Sequence, residues 1–393
     1  MFIVTSSLLA VSAIYRLAAP EENEGRIPAS GDEVLEHVPA RANDAYSKQA
    51  EGLRAALAVK PDDAETAVQL AKVELNEGRS RGDPRHIGYA TAALAPWWNQ
   101  AEPPDDVLLL RATIKQTMHG FREAIADLDV LLRRDPQNAQ AWLTRAVVLA
   151  VVGDYEKSEE SCRPLGALGG VFVETVCMTN AQSQHGQAHE SYERLKSVVL
   201  QAPGNSSVAE RAWALSTLAE AAMHSGEGAA VEKNLKAALS LDPADDFLVA
   251  AYADFLLDAG RADEALKVLG DDTQDDGLLL RRVLALKALG RGVDEADELR
   301  SRYAASHQRG DSLHQREEAR FALRVDGDAT RALGLATANW AIQKEYWDAR
   351  VLLEASLAVK SKGAALPVLD ALERNHAEDP VLLGLAAKVK ALQ

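Results

Sequence analysis

The chain has 393 residues, of which 47% are hydrophobic and 5% aromatic, a balance suited to a long core of helices packed through Ala and Leu. The formal net charge is −16 and the pI is near 5.1, which excludes an extended basic surface. Such a chain repels nucleic acid, and it favours basic partners or partners with basic segments.

Residues 1–19 form an apolar segment that resembles a signal or an anchor, and a polar linker follows at 20–40. The run Phe2–Tyr15 would span about 21 Å as a helix, short of the roughly 30 Å hydrocarbon core of a membrane. Its length suits a secretory signal with Val11-Ser12-Ala13 as the cleavage site, although no Lys or Arg precedes it. We expect a periplasmic or inner-membrane-anchored protein. The alternatives are a cytoplasmic protein in which this segment is a helix that covers the first repeat, or a disordered segment.

Beyond the linker, glycine recurs at intervals of 30 to 42 residues, each time between two stretches with helical apolar periodicity. In the stretch Asp105–Asn138, for example, Leu108 lies on the buried face of a first helix, Gly120 ends that helix, and Pro136 ends a second helix that buries Leu128. Glycine suits this turn because it adopts the left-handed backbone conformation without strain. A period in the middle thirties is typical of a solenoid of stacked helical hairpins. The nine anchor glycines are Gly78, Gly120, Gly153, Gly186, Gly226, Gly260, Gly290, Gly327 and Gly363.

These hairpins resemble the tetratricopeptide repeat, a family pattern of large and small residues, a turn glycine and a closing proline. Two units match at Trp142, Ala146, Leu149, Gly153 and Tyr155, and at Ala253, Leu256, Gly260, Ala265 and Leu269. The closing prolines are Pro61, Pro136, Pro203 and Pro243. The resemblance implies an all-α, right-handed α-solenoid of about eight to nine repeats over residues 41–393, with a C-terminal capping helix at Asp379–Gln393. The units at Gly290 and Gly363 match the pattern only loosely.

Two irregularities interrupt the period. Extra residues fall around the connection Asn99–Asp105, and the first helix at Ser206–Ser225 is lengthened by about six residues. Just before the first insertion, Trp97 and Trp98 point to different sides of a helix, so that at most one fits easily into the core. The other indole covers the insertion or contacts a partner.

Cys162 and Cys177 flank a glycine-rich turn at equal distances, which places them level with each other across an antiparallel helix pair. A disulfide is therefore geometrically allowed, and two buried free thiols are the alternative. Export would favour the disulfide, because disulfides persist in oxidising compartments.

The sequence offers no constellation for catalysis, cofactor binding or metal binding. His185 and His189 are four residues apart, but Gly186 between them breaks the helix that a metal pair would need. The aspartate-rich run Asp271–Gly277 lacks the Glu at position twelve of a calcium loop. We therefore expect no enzyme, no cofactor and no metal.

The resemblance also implies where a ligand would lie, because family members contact ligands mainly through the inner face of each first helix. The corresponding positions here are Leu143, Val147, Val176, Asn180, Trp213, Ser216, Glu220, Phe247 and Asp254. Some family members grip a terminal carboxylate with Lys and Asn at these positions, and only Asn180 matches that set. A peptide with apolar anchors and a basic flank is the better match.

Together these features predict a non-catalytic scaffold that binds a protein or peptide in its concave groove, at a bacterial cell envelope. The alternatives are an assembly factor or chaperone for an envelope complex, and a small-ligand-binding or enzyme-accessory subunit. If the groove assignment is right, Trp213→Ala and Phe247→Ala should weaken binding with little effect on the melting temperature.

Overall fold

The computed structural model describes residues 45–81, 85–204, 206–271, 275–292, 294–308 and 314–392, and the regular secondary structure of these residues is entirely helical. The apolar segment 1–19 and the linker 20–40 lie outside the described residues. None of the described helices combines the length and the hydropathy that a membrane span requires. The described residues form two compact units, an N-terminal unit that ends at Leu110 and a C-terminal unit that begins at Arg111.

The helices of the N-terminal unit are α1 (Ala45–Val59), α2 (Ala64–Arg81), α3 (Arg85–Ala93) and α4 (Ala95–Trp98), and α5 (Asp105–Thr117) contains the boundary. The C-terminal unit continues with α6 (Phe121–Arg134), α7 (Ala139–Val151), α8 (Tyr155–Cys162), α9 (Leu165–Leu168), α10 (Val171–Gln182), α11 (Ala188–Leu200), α12 (Val208–His224), α13 (Gly228–Leu241), α14 (Asp246–Asp258), α15 (Ala262–Leu269), α16 (Asp276–Ala288), α17 (Asp294–Gln308), α18 (Gln315–Phe321), a π-helical turn (Ala322–Asp326), α19 (Ala329–Ile342), α20 (Tyr346–Ala358), α21 (Lys362–Arg374) and α22 (Pro380–Lys390). Within the described ranges, α2 to α21 make nine helical hairpins and α22 ends the stack. The predicted all-α repeat fold is therefore confirmed.

The first helices α7, α12, α14 and α16 begin where a short polar side chain caps the free N–H groups of the first turn. The carboxamide of Asn138 and the carboxylate of Asp245 each accept a hydrogen bond from the backbone N–H three residues later, at 3.0 and 3.1 Å. Ser207 and Glu210 form a reciprocal capping box at the start of α12. With 17 residues, α12 is longer than the first helix α14, which has 13. The predicted lengthening is therefore present, but it is smaller than six residues.

Six of the nine anchor glycines adopt the left-handed conformation at the end of a first helix, as predicted: Gly153, Gly186, Gly226, Gly260, Gly290 and Gly327. The prediction is wrong for the other three. Gly78 lies inside α2 and Gly363 inside α21. Gly120 has an ordinary φ of −79°, and the preceding His119 takes the left-handed position at φ 58°. Histidine is among the residues that tolerate this conformation, and Lys360 occupies it before α21.

The predicted core positions of the second helix α6 are correct, since Ala124, Leu128 and Leu131 are fully buried. Small residues such as Ala124 allow close helix contact, and the larger ones fill the space between successive hairpins. Further along, a continuous core runs through the hairpins from α7 to α16. A second apolar cluster joins α19, α20, α21 and α22.

The disulfide alternative is the one present in the structure. Cys162 at the end of α8 is bonded to Cys177 in α10, with their Cα atoms 5.6 Å apart. Both residues are almost completely buried, at 0% and 3% exposure. The bond closes a loop of 15 residues that contains α9, and it fixes the position of that short helix against its neighbours.

The C-terminal unit folds back on itself, which a simple stack of hairpins does not do. The backbone N–H of Lys344 donates to the carbonyl of Val151 at 2.7 Å, and the Glu378 carboxylate accepts from the N–H of Ala188 at 2.8 Å. His224 Nδ1 lies 3.2 Å from Asp379 Oδ2. The last hairpin and α22 therefore pack against the turns of earlier hairpins.

Two of the turn glycines are required by this closure as well as by their backbone angles. A Cβ at Gly153 would lie 3.1 Å from the side chain of Lys344, and one at Gly186 would lie 2.9 Å from His376 Cβ. A side chain at Gly186 would force His376 to move, and one at Gly153 would press against Lys344. The predicted cap α22 has Asp379 as its N-cap, and Lys388 and Lys390 lie on its exposed side.

Candidate functional site

Closure of the C-terminal unit encloses a cavity of about 510 Å³. Most of its floor comes from the inner faces of the first helices α7, α10, α12, α14 and α16, with a contribution from the second helix α13. The closing segments 316–317, 345–347 and 380–381 supply the opposite side. This volume lies within the range of pockets that bind small molecules or short peptide segments. Apolar side chains make most of the wall, and the wall includes the aromatic side chains of Phe247, Phe255, Tyr346 and Trp347.

Six of the nine predicted groove residues line this cavity: Val147, Asn180, Ser216, Glu220, Phe247 and Asp254. Placing the other three in the groove was wrong. Leu143, Val176 and Trp213 are at most 5% exposed and belong to the core between hairpins. A first helix is contacted by two neighbouring hairpins as well as by its own second helix, so only a narrow stripe of it faces the concave side. The sequence-based assignment made this inner stripe too wide, because it included one core residue on each of three helices.

Asp254 lines the cavity, but its carboxylate is already occupied. Arg281 donates to it at 2.7 and 3.0 Å, and Arg320 donates to its other oxygen at 2.7 Å. All three side chains are at least nine-tenths buried. Burial opposes ionisation of Asp254, but the two guanidinium groups outweigh it and hold its pKa below the usual range. The triad joins α14, α16 and α18, so its main role is to hold three successive hairpins together.

Glu220, on α12, is the opposite case. It lines the cavity, and within the part of the chain that the structure describes no hydrogen bond or ion pair engages its carboxylate. Burial raises the pKa of Glu220 to about 7, and the nearby His224 opposes this only in part. A carboxylate in this situation is available to an incoming donor or cation.

Glu345 lies at the start of α20 on the closing side of the same cavity. Arg316 donates to its carboxylate at 3.0 Å, but the same guanidinium also serves Glu317 at 2.9 Å. Burial raises the pKa of Glu345 to about 8 against the attraction of Arg316, and the charges of Asp348 and then Glu220 add to the rise. The two glutamates thus interact electrostatically across the cavity.

Trp347, also on the closing side, has cationic groups near its ring. The guanidinium carbon of Arg320 lies 3.7 Å from the ring centroid, and that of Arg350 lies 4.3 Å from it. Such contacts are favourable cation–π interactions. Arg350 is held in turn by Asp258, with two hydrogen bonds of 2.6 and 2.7 Å. Trp347 therefore helps to fix the closing hairpin against α14.

The sequence did not predict the closing side of the site. Glu345, Tyr346 and Trp347 belong to a unit whose turn glycine was misplaced, and they reach the cavity only through contacts with residues about 100 to 200 positions earlier in the chain. One signal was present: Tyr346-Trp347 is an aromatic pair like Trp97-Trp98, and such pairs cannot both enter one helical core.

The other candidate residues lie elsewhere. Trp97 is 7% exposed, whereas Trp98 is partly exposed, which agrees with the expectation that only one indole is core. His185 faces Glu159 at 3.4 Å and His189 is exposed. No group of three or more potential metal ligands is found among the described residues. Partner contact by Trp98 stays a prediction.

The N-terminal unit contains a separate polar cluster that the sequence did not indicate. Glu74, on α2, is completely buried and accepts hydrogen bonds from Tyr46 at 2.9 Å and His86 at 2.7 Å. The guanidinium group of Arg54 forms an ion pair with the same carboxylate. These contacts join α1, α2 and α3, so the cluster stabilises this unit internally.

No protein-family model and no curated protein sequence matches the chain. Similar solved structures include a tetratricopeptide repeat protein from Parabacteroides merdae, at 13% identity over 78% of this chain and 90% of that chain, with a TM-score of 0.31. The Cut9–Hcn1 complex of the APC/C matches at 12% identity over 89% and 90%, with a TM-score of 0.40. The human IFIT1 dimer with m7Gppp-AAAA matches at 11% identity over 88% and 86%, with a TM-score of 0.41. At these sequence identities and TM-scores, the matches do not indicate what this chain binds.

Proposed function

We propose that the chain is a non-catalytic scaffold that binds a segment of another protein in the cavity of its C-terminal unit. The observation that supports this function is the cavity itself: about 510 Å³, largely apolar, and built from five successive first helices and the closing hairpin. Because the walls are held by the Asp254 triad, the disulfide and the closure contacts, the cavity exists before binding. A preformed cavity reduces the ordering that binding would otherwise require.

The contents of the wall favour a peptide segment with an apolar anchor. Phe247 and Phe255 are only partly buried, although they are large aromatic side chains inside a concave surface. An inserted apolar side chain would remove their remaining exposed area from water, and burial of such area drives association. Polar groups such as Asn180 and Ser216 would fix the orientation of the segment.

We propose further that the protein works in an oxidising compartment of the cell envelope. Cys162–Cys177 supports this location because disulfides persist there, and the apolar segment 1–19 fits an export signal or an anchor. The test is to trap thiols in intact cells with a maleimide–polyethylene glycol reagent after acid quenching, and to fractionate the same cells. Two free thiols and a cytoplasmic chain would contradict the proposal.

Site-specific photo-crosslinking tests the binding function. The full-length chain carrying p-benzoylphenylalanine at position 247 should capture one dominant protein in cells, in stoichiometric amount. The matched control carries the same photoreactive residue at Tyr89, an exposed aromatic position in the N-terminal unit, and should not capture that protein. Many substoichiometric clients would instead favour the chaperone alternative.

A cavity-filling variant gives the decisive comparison. Ala250→Trp places a large side chain in the cavity and should abolish the crosslink, whereas Ala229→Trp, at an exposed position of α13, should leave it intact. Both variants must keep the wild-type circular dichroism spectrum. If Ala250→Trp folds and still forms the crosslink, the cavity is not the binding site.

A further inference from the structure

The charges around the cavity are unbalanced. Among the described residues that line it, seven carry carboxyl groups and two carry guanidinium groups, so acids are in excess. Arg320 and Arg350 are not lining residues, and the lining acids with which they form ion pairs are Asp254 and Asp258. The seven acids are Glu220, Asp246, Asp254, Asp258, Asp275, Glu317 and Glu345.

The acids differ in what they can offer a ligand. Asp254, Asp258 and Glu317 are paired with arginines, and Asp275 accepts the N–H of Leu278 as the cap of α16. Glu220 and Asp246 have no such partner among the described residues, and Glu345 shares one arginine with other carboxylates. Asp246 lies in the first turn of α14, where the N-terminal end of a helix favours a negative charge. The charge that the fold leaves unbalanced therefore lies mainly between α12 and the start of α20.

From this we infer that the segment bound in the cavity inserts a lysine or arginine side chain whose cationic end pairs with Glu220 and Glu345. The inference rests on the proposed binding function and specifies the chemistry of the bound segment. It commits to a side chain of a protein, because most of the cavity wall around the glutamates' carboxyl groups is apolar, with Phe247, Phe255, Tyr346 and Trp347 among its residues. The methylene stem of a lysine or arginine packs on such a wall, while its head needs an acid.

A cation in the cavity would favour the ionised form of both glutamates. Without one, burial raises the pKa of Glu220 to about 7, and burial together with the charges of Asp348 and Glu220 raises the pKa of Glu345 to about 8. An entering cation would remove this penalty for both groups at once. An anionic segment would meet the same excess of acids and would be rejected, which gives the cavity its selectivity.

A peptide selection provides the test. Random dodecapeptides displayed on phage are panned on the full-length chain, and peptides that also bind the Ala250→Trp variant are discarded. The strongest remaining peptide is synthesised, and its affinity is measured by fluorescence anisotropy. We expect a fixed lysine or arginine in the selected peptides, and replacement of that residue by norleucine should weaken binding about tenfold.

A double-mutant cycle locates the cation. Glu220→Gln preserves the shape of the side chain and should also weaken the peptide about tenfold, but it should have little further effect on the norleucine peptide. The control Glu190→Gln removes an exposed carboxylate on α11 and should leave the affinity unchanged. If the affinity losses from Glu220→Gln and from the norleucine replacement simply add, the inference is overturned. Selected peptides without a basic residue would overturn it too, and in both cases the binding function would stand.

The remaining outcomes are equally informative. If no peptide discriminates between wild-type and Ala250→Trp, peptide binding in the cavity fails, and the inference fails with it. Stabilisation of the wild-type chain by free spermidine or cadaverine, in the absence of any peptide binding, would assign the acidic site to a small amine and contradict the protein segment.

Discussion

Replacement of Asp254 by Asn tests the role that the structure gives to this residue. The sequence assigns Asp254 to partner binding, whereas the structure makes it the anion of a buried triad with Arg281 and Arg320. Asn keeps the shape but removes the charge, so two buried guanidinium groups lose their ionic partner. Breaking a buried pair of this kind costs about 3 to 5 kcal/mol, and we expect a loss of that size in the free energy of unfolding.

Urea unfolding followed by far-UV circular dichroism measures this loss, and Asp258→Asn is a matched control. Asp258 also binds an arginine through two hydrogen bonds, but its side chain is 46% exposed, so its loss should cost below about 1 kcal/mol. Equal effects of the two substitutions, or a loss under about 1 kcal/mol for Asp254→Asn, would refute the argument.

The same substitution has a defined pH dependence. The pKa of Asp254 is lowered in the folded state, so its stabilising contribution is present above the unfolded pKa of about 3.9 and is lost as the pH falls through the folded value. The difference between wild-type and Asp254→Asn should therefore be full at pH 7 and shrink below about pH 4. A difference that grows on acidification would contradict the assignment.

Three further predictions use the same unfolding assay. Trp213→Ala should lower the free energy of unfolding by about 3 to 5 kcal/mol, because the indole lies in the core. Phe247→Ala should lower it much less, because that ring is partly exposed. The reverse order would place Trp213 in the groove after all. Serine at both cysteines should cost about 3 kcal/mol, the value for a loop of 15 residues, and no loss would argue against a stabilising disulfide. Burial raises the pKa of Glu220 to about 7, so its ionisation lowers the stability of the fold only as the pH rises above the unfolded pKa. Glu220→Gln should therefore be about 1 to 3 kcal/mol more stable at pH 8 and no different at pH 4; equal stability at both would show a solvated carboxylate.

Local sequence patterns were sufficient for the repeat and for most of its turns. Six glycines occupy the predicted left-handed positions, and the buried faces of α6 and α12 follow the 3.6-residue period. The errors at Gly120 and Gly363 arose because a neighbouring non-glycine residue takes the left-handed position. Each of these features depends on residues within one hairpin, so sequence spacing alone can define them.

The binding surface was predicted only in part, because it depends on contacts between hairpins. The inner face of a first helix was located well enough to include Glu220 and Phe247, but Trp213 lies one step around the helix, in the core. Periodicity states which side of a helix is apolar. It does not state how much of that side a neighbouring hairpin covers.

The sequence by itself determined an all-α chain of helical hairpins, because turn chemistry and apolar periodicity act over a few residues. Only the tertiary structure decided that the C-terminal hairpin returns to the earlier turns and closes a cavity. That closure joins Lys344 to Val151 and Arg350 to Asp258, pairs that are distant in the chain and carry no common local pattern. Whether Asp254 is a free ligand group or an internal ion partner follows from the same distant contacts, since burial and pairing are properties of the packed chain.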